Sequence, residues 1–198
     1  DFYLLNNELI KNKKIFFLAF PEDFANFNHQ ELEDLNEFTN TSPDFRSNFK
    51  INLENGGFSS FQSEYPFEMT KKKGSILSQI SSLANIDAKK NYLIFKNIYY
   101  LPIEQKFNGY FVNYKTKMIE ATFELLTNNT NIVEIDRFLI KPEIFFVTNE
   151  YLGIPMYLSE KNGHLSLEHT HPPHEYIMGE NRYKRVSNLK KEINEIIS

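Results

Sequence analysis

Short runs of β-branched and aromatic residues dominate the chain after residue 91, and Asn, Gly, Pro or Lys residues separate one run from the next. β-Branched and aromatic side chains fit the pleated surface of a strand, whereas Asn, Gly and Pro favour turns. The pattern predicts these strands: Tyr92–Leu101, Tyr110–Tyr114, Met118–Leu126, Ile132–Ile135, Ile144–Thr148, Ile154–Ser159 and His164–His169. Strands at this spacing are typical of an antiparallel sandwich or barrel-like domain, so we predict a mainly β fold, with α+β as the alternative.

The beginning of the chain adds strands and a short helix to this prediction. Ile15–Phe20 is a continuous apolar run, which is typical of a strand buried on both faces. Residues 28–38 begin with a capping-box pattern and predict a short amphipathic helix. Alternation over Phe45–Leu53 and the aromatic stretch Phe58–Tyr65 predict two further strands, joined by a glycine turn.

Two later segments have helical periodicity. Ser75–Asn85 is the best helix candidate, because its apolar residues return at the spacing of one buried stripe. That stripe consists of Ile76, Leu77, Ile80, Leu83 and Ala84. Asn188–Ile197 predicts a last helix, whose inner face would consist of Leu189, Ile193 and Ile196. We therefore expect a single domain, 1–198, with two or three peripheral α-helices. In it a strand and helix region, 1–90, would pack on a β-rich region, 91–175, followed by the helix at about 188–197.

Composition limits the classes of binding partner and the kinds of metal ligand that the chain can have. The formal net charge of -4 and the isoelectric point near 5.8 disfavour a nucleic-acid partner, since such domains are usually basic. No apolar run approaches the length of a membrane span, so no membrane partner is expected. Cysteine is absent, which removes disulfides, thiolate metal ligands and cysteine nucleophiles. Any metal ion would have to be bound by histidine, carboxylate or carbonyl ligands.

The compartment and the oligomeric state are left open by the sequence. The chain begins at Asp1 rather than Met, which indicates that an upstream segment has been removed, and a cleaved signal peptide fits this beginning. The triplets at 40–42 and 128–130 have the N-glycosylation pattern, but they are weak indications because Asn is abundant. A cytoplasmic location is slightly favoured, with secretion as the alternative.

Histidine is concentrated near the C-terminus. Four of the five histidines lie between residues 164 and 174, after an Asn-Gly pair that favours a tight hairpin turn. The strand that returns from the turn alternates, with Leu165, Leu167 and His169 on one face and His171 on the same face if the strand continues. The two leucines mark this face as the inward one. We therefore predict that both imidazoles project into the interior, about 6–7 Å apart along the strand.

That separation lets two imidazoles bind one ion. We predict a divalent transition metal, Zn, Fe, Mn or Ni, with His169, His171 and His174 as ligands. Glu175 is an alternative third ligand, and whichever of His174 and Glu175 does not bind the metal would carry protons in catalysis. A three-ligand set with an open position is the arrangement of catalytic metal sites, although the sequence leaves open whether the protein is an enzyme. The alternative is structural, with imidazoles that hydrogen-bond carbonyls, hydroxyls or carboxylates.

The histidine segment resembles the first metal-ligand motif of cupins, in which a glycine, two histidines and a glutamate line the lumen of a β-barrel. Gly163, His169, His171 and Glu175 match that motif, and the resemblance covers residues 163–175 only. It implies that the two histidines and the glutamate are metal ligands. The chain departs from the family where the downstream glycine comes early, at Gly179, and where no second histidine motif follows. We infer no activity from the resemblance.

A second hypothesis belongs to a different functional class, a non-catalytic β-sandwich module that binds a carbohydrate or a protein partner. Its candidate ligand-binding residues are Gln62, Glu64 and Tyr65, where polar side chains alternate along a predicted strand. Aromatic residues are plentiful here, and some of them could stack on sugar rings, as in β-sandwich carbohydrate binders, or on other small molecules. They are Tyr92, Phe95, Tyr99, Tyr100, Phe107, Tyr110, Phe111 and Tyr114. The alternative is that these residues belong to a partly exposed strand and to a plain aromatic core.

Overall fold

The computed structural model describes residues 44–52, 57–66, 71, 73–97, 99–101, 103–169 and 180–198. The strands are β1 Asp44–Asn52, β2 Phe58–Pro66, β3 Ile76–Gln79, β4 Lys90–Lys96, β5 Lys106–Asn113, β6 Met118–Leu126, β7 Thr130–Glu134, β8 Ile144–Thr148, β9 Ile154–Lys161 and β10 His164–His169. A single 3-10 turn, Arg137–Leu139, precedes β8, and the α-helix α1, Glu180–Ile197, follows β10 in this part of the chain.

The described strands form three antiparallel sheets. β1 and β2 pair as a hairpin, the β4 sheet has the order β10-β9-β4-β7, and the β5 sheet has the order β3-β8-β5-β6. The prediction of a mainly β fold is therefore confirmed. The barrel-like alternative is not, because none of these three sheets closes on itself.

The largest apolar cluster contains side chains from both four-stranded sheets. Leu93, Phe95 and Tyr157 come from the β4 sheet. The β5 sheet contributes Ile76, Phe107, Phe111, Leu125, Ile144 and Phe146. The hydroxyl of the buried Tyr157 donates to Ser78 Oγ at 2.8 Å, so its polar end is paired across this cluster. The two sheets thus share one core.

Each four-stranded sheet also has a second apolar face, and a different element contacts each of them. Ile193 of α1 packs with Val112 and Val147 of the β5 sheet, and Leu189 and Ile196 lie beside it. These are the three inner-face residues that the helical periodicity predicts for the last helix. On the β4 sheet, a cluster around Ile94, Met156 and Leu158 is contacted by Ile51 and Phe61 of the hairpin.

The prediction of a helix at Ser75–Asn85 is wrong. Ile76–Gln79 is a strand that pairs with β8, with Ile76 opposite Thr148, and residues 80–84 form hydrogen-bonded turns. Its burial alternates, since Ile76 and Ser78 are buried and their neighbours are half-buried. A short apolar run fits either a helix or a strand, and the ladder offered by β8 decides between them. The described residues therefore contain one α-helix rather than two or three, while the predicted elements at 15–20 and 28–38 lie outside them.

A small polar cluster joins α1 to the turn between β5 and β6. The Tyr114 hydroxyl donates to Glu192 Oε2 at 2.8 Å, and Lys117 Nζ lies 3.3 Å from the same oxygen. The ammonium of Lys117 also lies 3.7 Å from the centre of the Tyr114 ring. The hydrogen bond from Tyr114, followed by the hydrogen bond from Lys117, lowers the pKa of Glu192 below its ordinary value of 4.5.

This cluster predicts a small pH-dependent stabilisation. Because the pKa of Glu192 is lower in the folded chain, its contribution is present above the ordinary carboxyl pKa and is lost as the pH falls through the folded value. Glu192→Gln should lower the melting temperature by about 1–2 °C at pH 7, and the two proteins should converge in acid. Thermal melts between pH 3 and 7 measure the difference. Glu195→Gln, at an exposed position of the same helix, is the control, and an equal effect there would refute the assignment to Glu192.

Candidate functional site

The described part of the histidine segment ends at His169, the last residue of β10. The strand alternates, because Leu165, Leu167 and His169 are half-buried and the residues between them are exposed. His169 lies opposite Met156 of β9, and Leu167 lies opposite Leu158. His169 therefore shares a half-buried face with the two leucines, as the alternation predicts. This face looks toward the β1–β2 hairpin, not into the core between the two four-stranded sheets.

His169 contacts the second segment that the sequence singled out. Its ring centre lies 4.0 Å from that of Phe61, with 42° between the planes. Phe61 belongs to β2, the strand that carries the predicted ligand-binding residues. The fold thus brings β10 into side-chain contact with β2, although the two strands belong to different sheets. His164 is exposed, on the opposite face of β10 from His169.

The other predicted site residues are placed only in part. Gln62, Glu64 and Tyr65 lie on β2, opposite Asn48, Arg46 and Phe45 of β1. The predicted ligands and proton carriers His171, His174 and Glu175 lie outside the described residues. Within the described ranges, no group of three or more His, Asp or Glu side chains is placed to hold a metal ion.

A second candidate site, at the β4–β5 connection, was not predicted as a site from the sequence. Tyr100, Leu101 and Ile103 are exposed there, with 51%, 37% and 43% of their surface accessible. We call these three residues the exposed tip. The sequence pattern extended the strand from Tyr92 to Leu101, but β4 ends at Lys96. The signal for this turn was present in Asn97 and Pro102, which interrupt the apolar run.

Aromatic rings support the exposed tip from below. Tyr99 packs edge-on against both Tyr100 and Tyr151, with 5.0 Å between ring centres in each pair. Tyr151 in turn packs against Phe107 of the core, and Lys73 Nζ lies 4.8 Å from the centre of the Tyr151 ring. The Tyr151 hydroxyl donates to Gln105 Oε1. Desolvation, followed by the nearby Tyr100, raises the pKa of Tyr99. The tip therefore packs on a series of aromatic rings, Tyr99, Tyr151 and Phe107, that extends into the core.

Asn128 joins the tip to the β6–β7 turn. Its side-chain Oδ1 accepts from the Tyr99 N–H at 2.8 Å, and its Nδ2 donates to the carbonyls of Leu101 at 2.6 Å and Ile103 at 3.2 Å. Its backbone has a φ of 52°, a left-handed conformation that Asn tolerates better than most residues. One side chain thus satisfies three backbone groups of an irregular connection, which would otherwise need water or other partners.

Two buried side chains complete this network. Asn97 Oδ1 accepts from the Asn128 N–H at 2.9 Å, and Asn97 Nδ2 donates to the Leu152 carbonyl at 2.6 Å. The Thr127 hydroxyl donates to the Ile103 carbonyl and accepts from the Gln105 N–H, each at 2.8 Å. The connection is therefore held at both ends by side-chain hydrogen bonds.

These contacts change the meaning of the glycosylation-type triplet at 128–130. An N-linked sugar is attached to the side-chain nitrogen of the asparagine. In Asn128 that nitrogen donates to two carbonyls, one of them only 2.6 Å away. Attachment of a sugar requires the connection to open, so the folded conformation disfavours Asn128 as an acceptor.

A buried cation lies at the end of β4. Lys96 is only 3% exposed and pairs with Thr130 of β7 and Ile154 of β9. Alternation places it on the same face of the β4 sheet as Ile94, the face that the hairpin contacts. Burial lowers the pKa of its ammonium group from 10.5 to about 8. A larger fraction of this lysine is therefore neutral near pH 8 than of an exposed one.

Comparison of the chain with known protein families, characterised proteins and solved structures finds no match. The resemblance to cupins therefore rests on residues 163–175 alone. No helix within the described ranges is long and apolar enough to cross a membrane.

Proposed function

We propose that this protein binds a divalent transition-metal ion through the histidine segment that begins in β10. The observation that supports this most directly is the position of His169. It stands at the end of a strand, half-buried, with its ring against Phe61. Packing restricts the rotamers of such a side chain, so less conformational entropy is lost when it binds an ion.

The chemistry follows from the ligand types. His169, His171 and His174, or Glu175 in place of His174, offer nitrogen and oxygen ligands that suit Zn, Fe, Mn or Ni. A set of three protein ligands leaves a position for water or a substrate, and a metal-bound water loses its proton more readily than bulk water. In this proposal the group of His174 and Glu175 that does not bind the metal carries protons. The reaction class would be metal-assisted chemistry on a small substrate.

Metal content tests this proposal. Protein purified without a histidine tag should contain about one transition-metal ion per chain, and a His169→Ala/His171→Ala variant should contain almost none. A metal present at about 100 times its dissociation constant stabilises the folded state by about 2.7 kcal/mol, so chelation should lower the melting temperature by several degrees. Elemental analysis and thermal melts measure the two quantities.

His164→Ala is the matched control, because His164 is an exposed histidine on the other face of the same strand. The control should retain its metal. If the wild type contains no metal and gains no stability from added Zn, Fe, Mn or Ni, the proposal is wrong. Equal loss in both variants would place the ion on surface histidines instead.

A second candidate function is a non-catalytic β-sandwich module, in which the two four-stranded sheets form the sandwich and a partner binds at one end. The exposed tip favours it, because three apolar side chains that are close in sequence are each exposed on a well hydrogen-bonded connection. Solvent contact with such a group is unfavourable, and clustered exposed apolar side chains often mark interaction sites. This candidate does not depend on metal, so chelators should leave its binding unchanged.

A further inference from the structure

We infer that Asn162, in the turn between β9 and β10, is a site of spontaneous covalent modification, at which the side-chain amide is converted to an acid. The reactant is water, and the reaction needs neither an enzyme nor a metal ion. This inference therefore goes beyond the proposed function and does not depend on it. Its consequence concerns β10, the strand that ends at His169.

The reaction requires an asparagine that is followed by a residue without a side chain. The backbone nitrogen of the next residue attacks Cγ of the asparagine. The proton of that nitrogen and the side-chain NH2 group leave together as ammonia, and a cyclic succinimide forms. Water then opens one of the ring carbonyls and leaves either aspartate or isoaspartate. Glycine in the second position favours the attack, because no Cβ crowds its nitrogen.

The fold distinguishes between the Asn-Gly pairs of the chain, which are Asn55-Gly56, Asn108-Gly109 and Asn162-Gly163. The first pair lies outside the described residues. In the other two pairs the asparagine is exposed, so water reaches both side chains. The difference lies in the glycine. Gly109 is buried within β5, whereas Gly163 lies in the turn, beyond the last pair of the β9–β10 ladder.

The packing of β5 protects Asn108. Gly109 pairs with Phe123 of β6, and an added Cβ at Gly109 would overlap Phe123 and lie 2.8 Å from Leu125 Cδ1. These side chains therefore pack directly on the backbone of Gly109. The ring can close at Asn108 only if this backbone rotates, and such a rotation requires β5 to separate from β6.

The ring can close at Asn162 after a much smaller opening. Asn162 and Gly163 have φ values of 52° and 77°, the left-handed conformations of a two-residue hairpin turn. The ring needs a different rotation about the Cα–C bond of Asn162, so the closed turn slows the reaction. Among the described residues, however, no hydrogen bond uses the Gly163 N–H. Opening the turn disturbs only the terminal pair of the ladder, Lys161 with His164, and such ends open at low free energy.

Isoaspartate at residue 162 would alter the pairing of β10. In isoaspartate the backbone runs through the former side chain and gains a carbon atom, so the turn becomes longer. The length of the turn fixes the register of a hairpin, and here the register places His169 opposite Met156. The modification should therefore loosen β10 on β9, beginning at the pair of Lys161 and His164.

Peptide mapping by mass spectrometry tests the site. In folded protein incubated at pH 8, Asn162 should lose its side-chain amide at least about tenfold faster than Asn108. In urea the two should react at similar rates, since the unfolded chain does not protect either of them. Asn128 is an internal control, because it has the same φ of 52° but precedes Asn129, and it should keep its side-chain amide in the folded protein.

Hydrogen exchange tests the consequence. After incubation, the backbone amides of β10 in wild-type protein should exchange about tenfold faster than in fresh protein. Asn162→Gly is the matched control, because glycine accepts the positive φ of the turn and supplies no side-chain amide. The same incubation should leave the exchange of β10 in this variant unchanged.

The outcomes separate the site from its consequence. Equal rates at Asn162 and Asn108 in folded protein would overturn the site. An intact Asn162 in folded protein, after the unfolded chain has reacted completely, would overturn it as well. Modification of Asn162 with unchanged exchange of β10 would keep the site and refute the effect on pairing. Neither measurement involves a metal ion, so both results hold whether or not the histidine segment binds one.

Discussion

Gly153→Ala is expected to destabilise the fold by about 3 kcal/mol or more. A Cβ atom at residue 153 would overlap Phe95 Cζ and would lie 2.7 Å from the carbonyl oxygen of Lys96. Neither neighbour can move easily. Phe95 is fully buried and packs edge-on against Phe107 and Phe146, and the carbonyl oxygen belongs to the β4 backbone. Because a typical domain is stable by only about 5–15 kcal/mol, this one methyl group should remove a large part of the total.

Denaturant unfolding measures the effect, with the slope of the transition checked for change. The control is Gly74→Ala, whose Cβ would meet only the Leu152 side chain, at 3.0 Å for the nearest atom. A flexible side chain can shift, so this variant should stay within about 1 kcal/mol of the wild type. Equal stability of the two variants would contradict the close approach of residue 153 to β4.

The second large effect is a pH dependence that comes from Lys96. Burial favours its neutral form and lowers its pKa from 10.5 to about 8. Between these two values the unfolded chain binds more protons than the folded one, so the free energy of unfolding should rise with pH. The shift corresponds to about 3 kcal/mol at most. Lys96→Met removes the titrating group, and the wild type should therefore gain up to this amount relative to the variant between about pH 8 and 10.5.

Below pH 8 the lysine is charged in both states, and the difference between wild type and variant should be constant. Urea unfolding at half-unit steps from pH 7 to 10.5 measures it. Lys161→Met, at an exposed position in the same sheet, serves as the control and should show no such rise. A flat difference for Lys96→Met over the whole range would mean that its ammonium group is well solvated in the folded protein.

The strands were predictable where their apolar pattern ends at a clear turn. Met118–Leu126, Ile144–Thr148 and His164–His169 have the bounds that the sequence predicts. The alternation of β10 also predicted which face His169 occupies. In these segments the local preference for a strand agrees with the pairing that the fold offers.

Other features depend on partners that are distant in the sequence. Nothing within Ser75–Asn85 distinguishes a helix from a strand, and the distinction is made by β8, which lies about 70 residues later. The β4–β5 connection that follows the early end of β4 is likewise joined to the β6–β7 turn, where the Asn128 N–H donates to Asn97 Oδ1. The exposed tip was missed for this reason, because its order comes from a side chain 25 to 29 residues away. The contact of His169 with the hairpin could not be predicted either, since it requires the position of β2.

The order of strands in the two four-stranded sheets has a consequence for synthesis on the ribosome. β8 and β9 are internal strands, each with a neighbour on both sides, yet they are among the last strands to be made. Until residue 148 has emerged, β3 lacks its partner β8, and until residue 161 has emerged, β4 can pair only with β7. Chains that stop before residue 144 have neither β8 nor β9, and unpaired apolar strands associate readily with one another. Pairing in both four-stranded sheets is therefore completed only when β8 and β9 have been translated. A chaperone that binds unfolded chains would be of most use while residues 76–143 are outside the ribosome and these two strands are not.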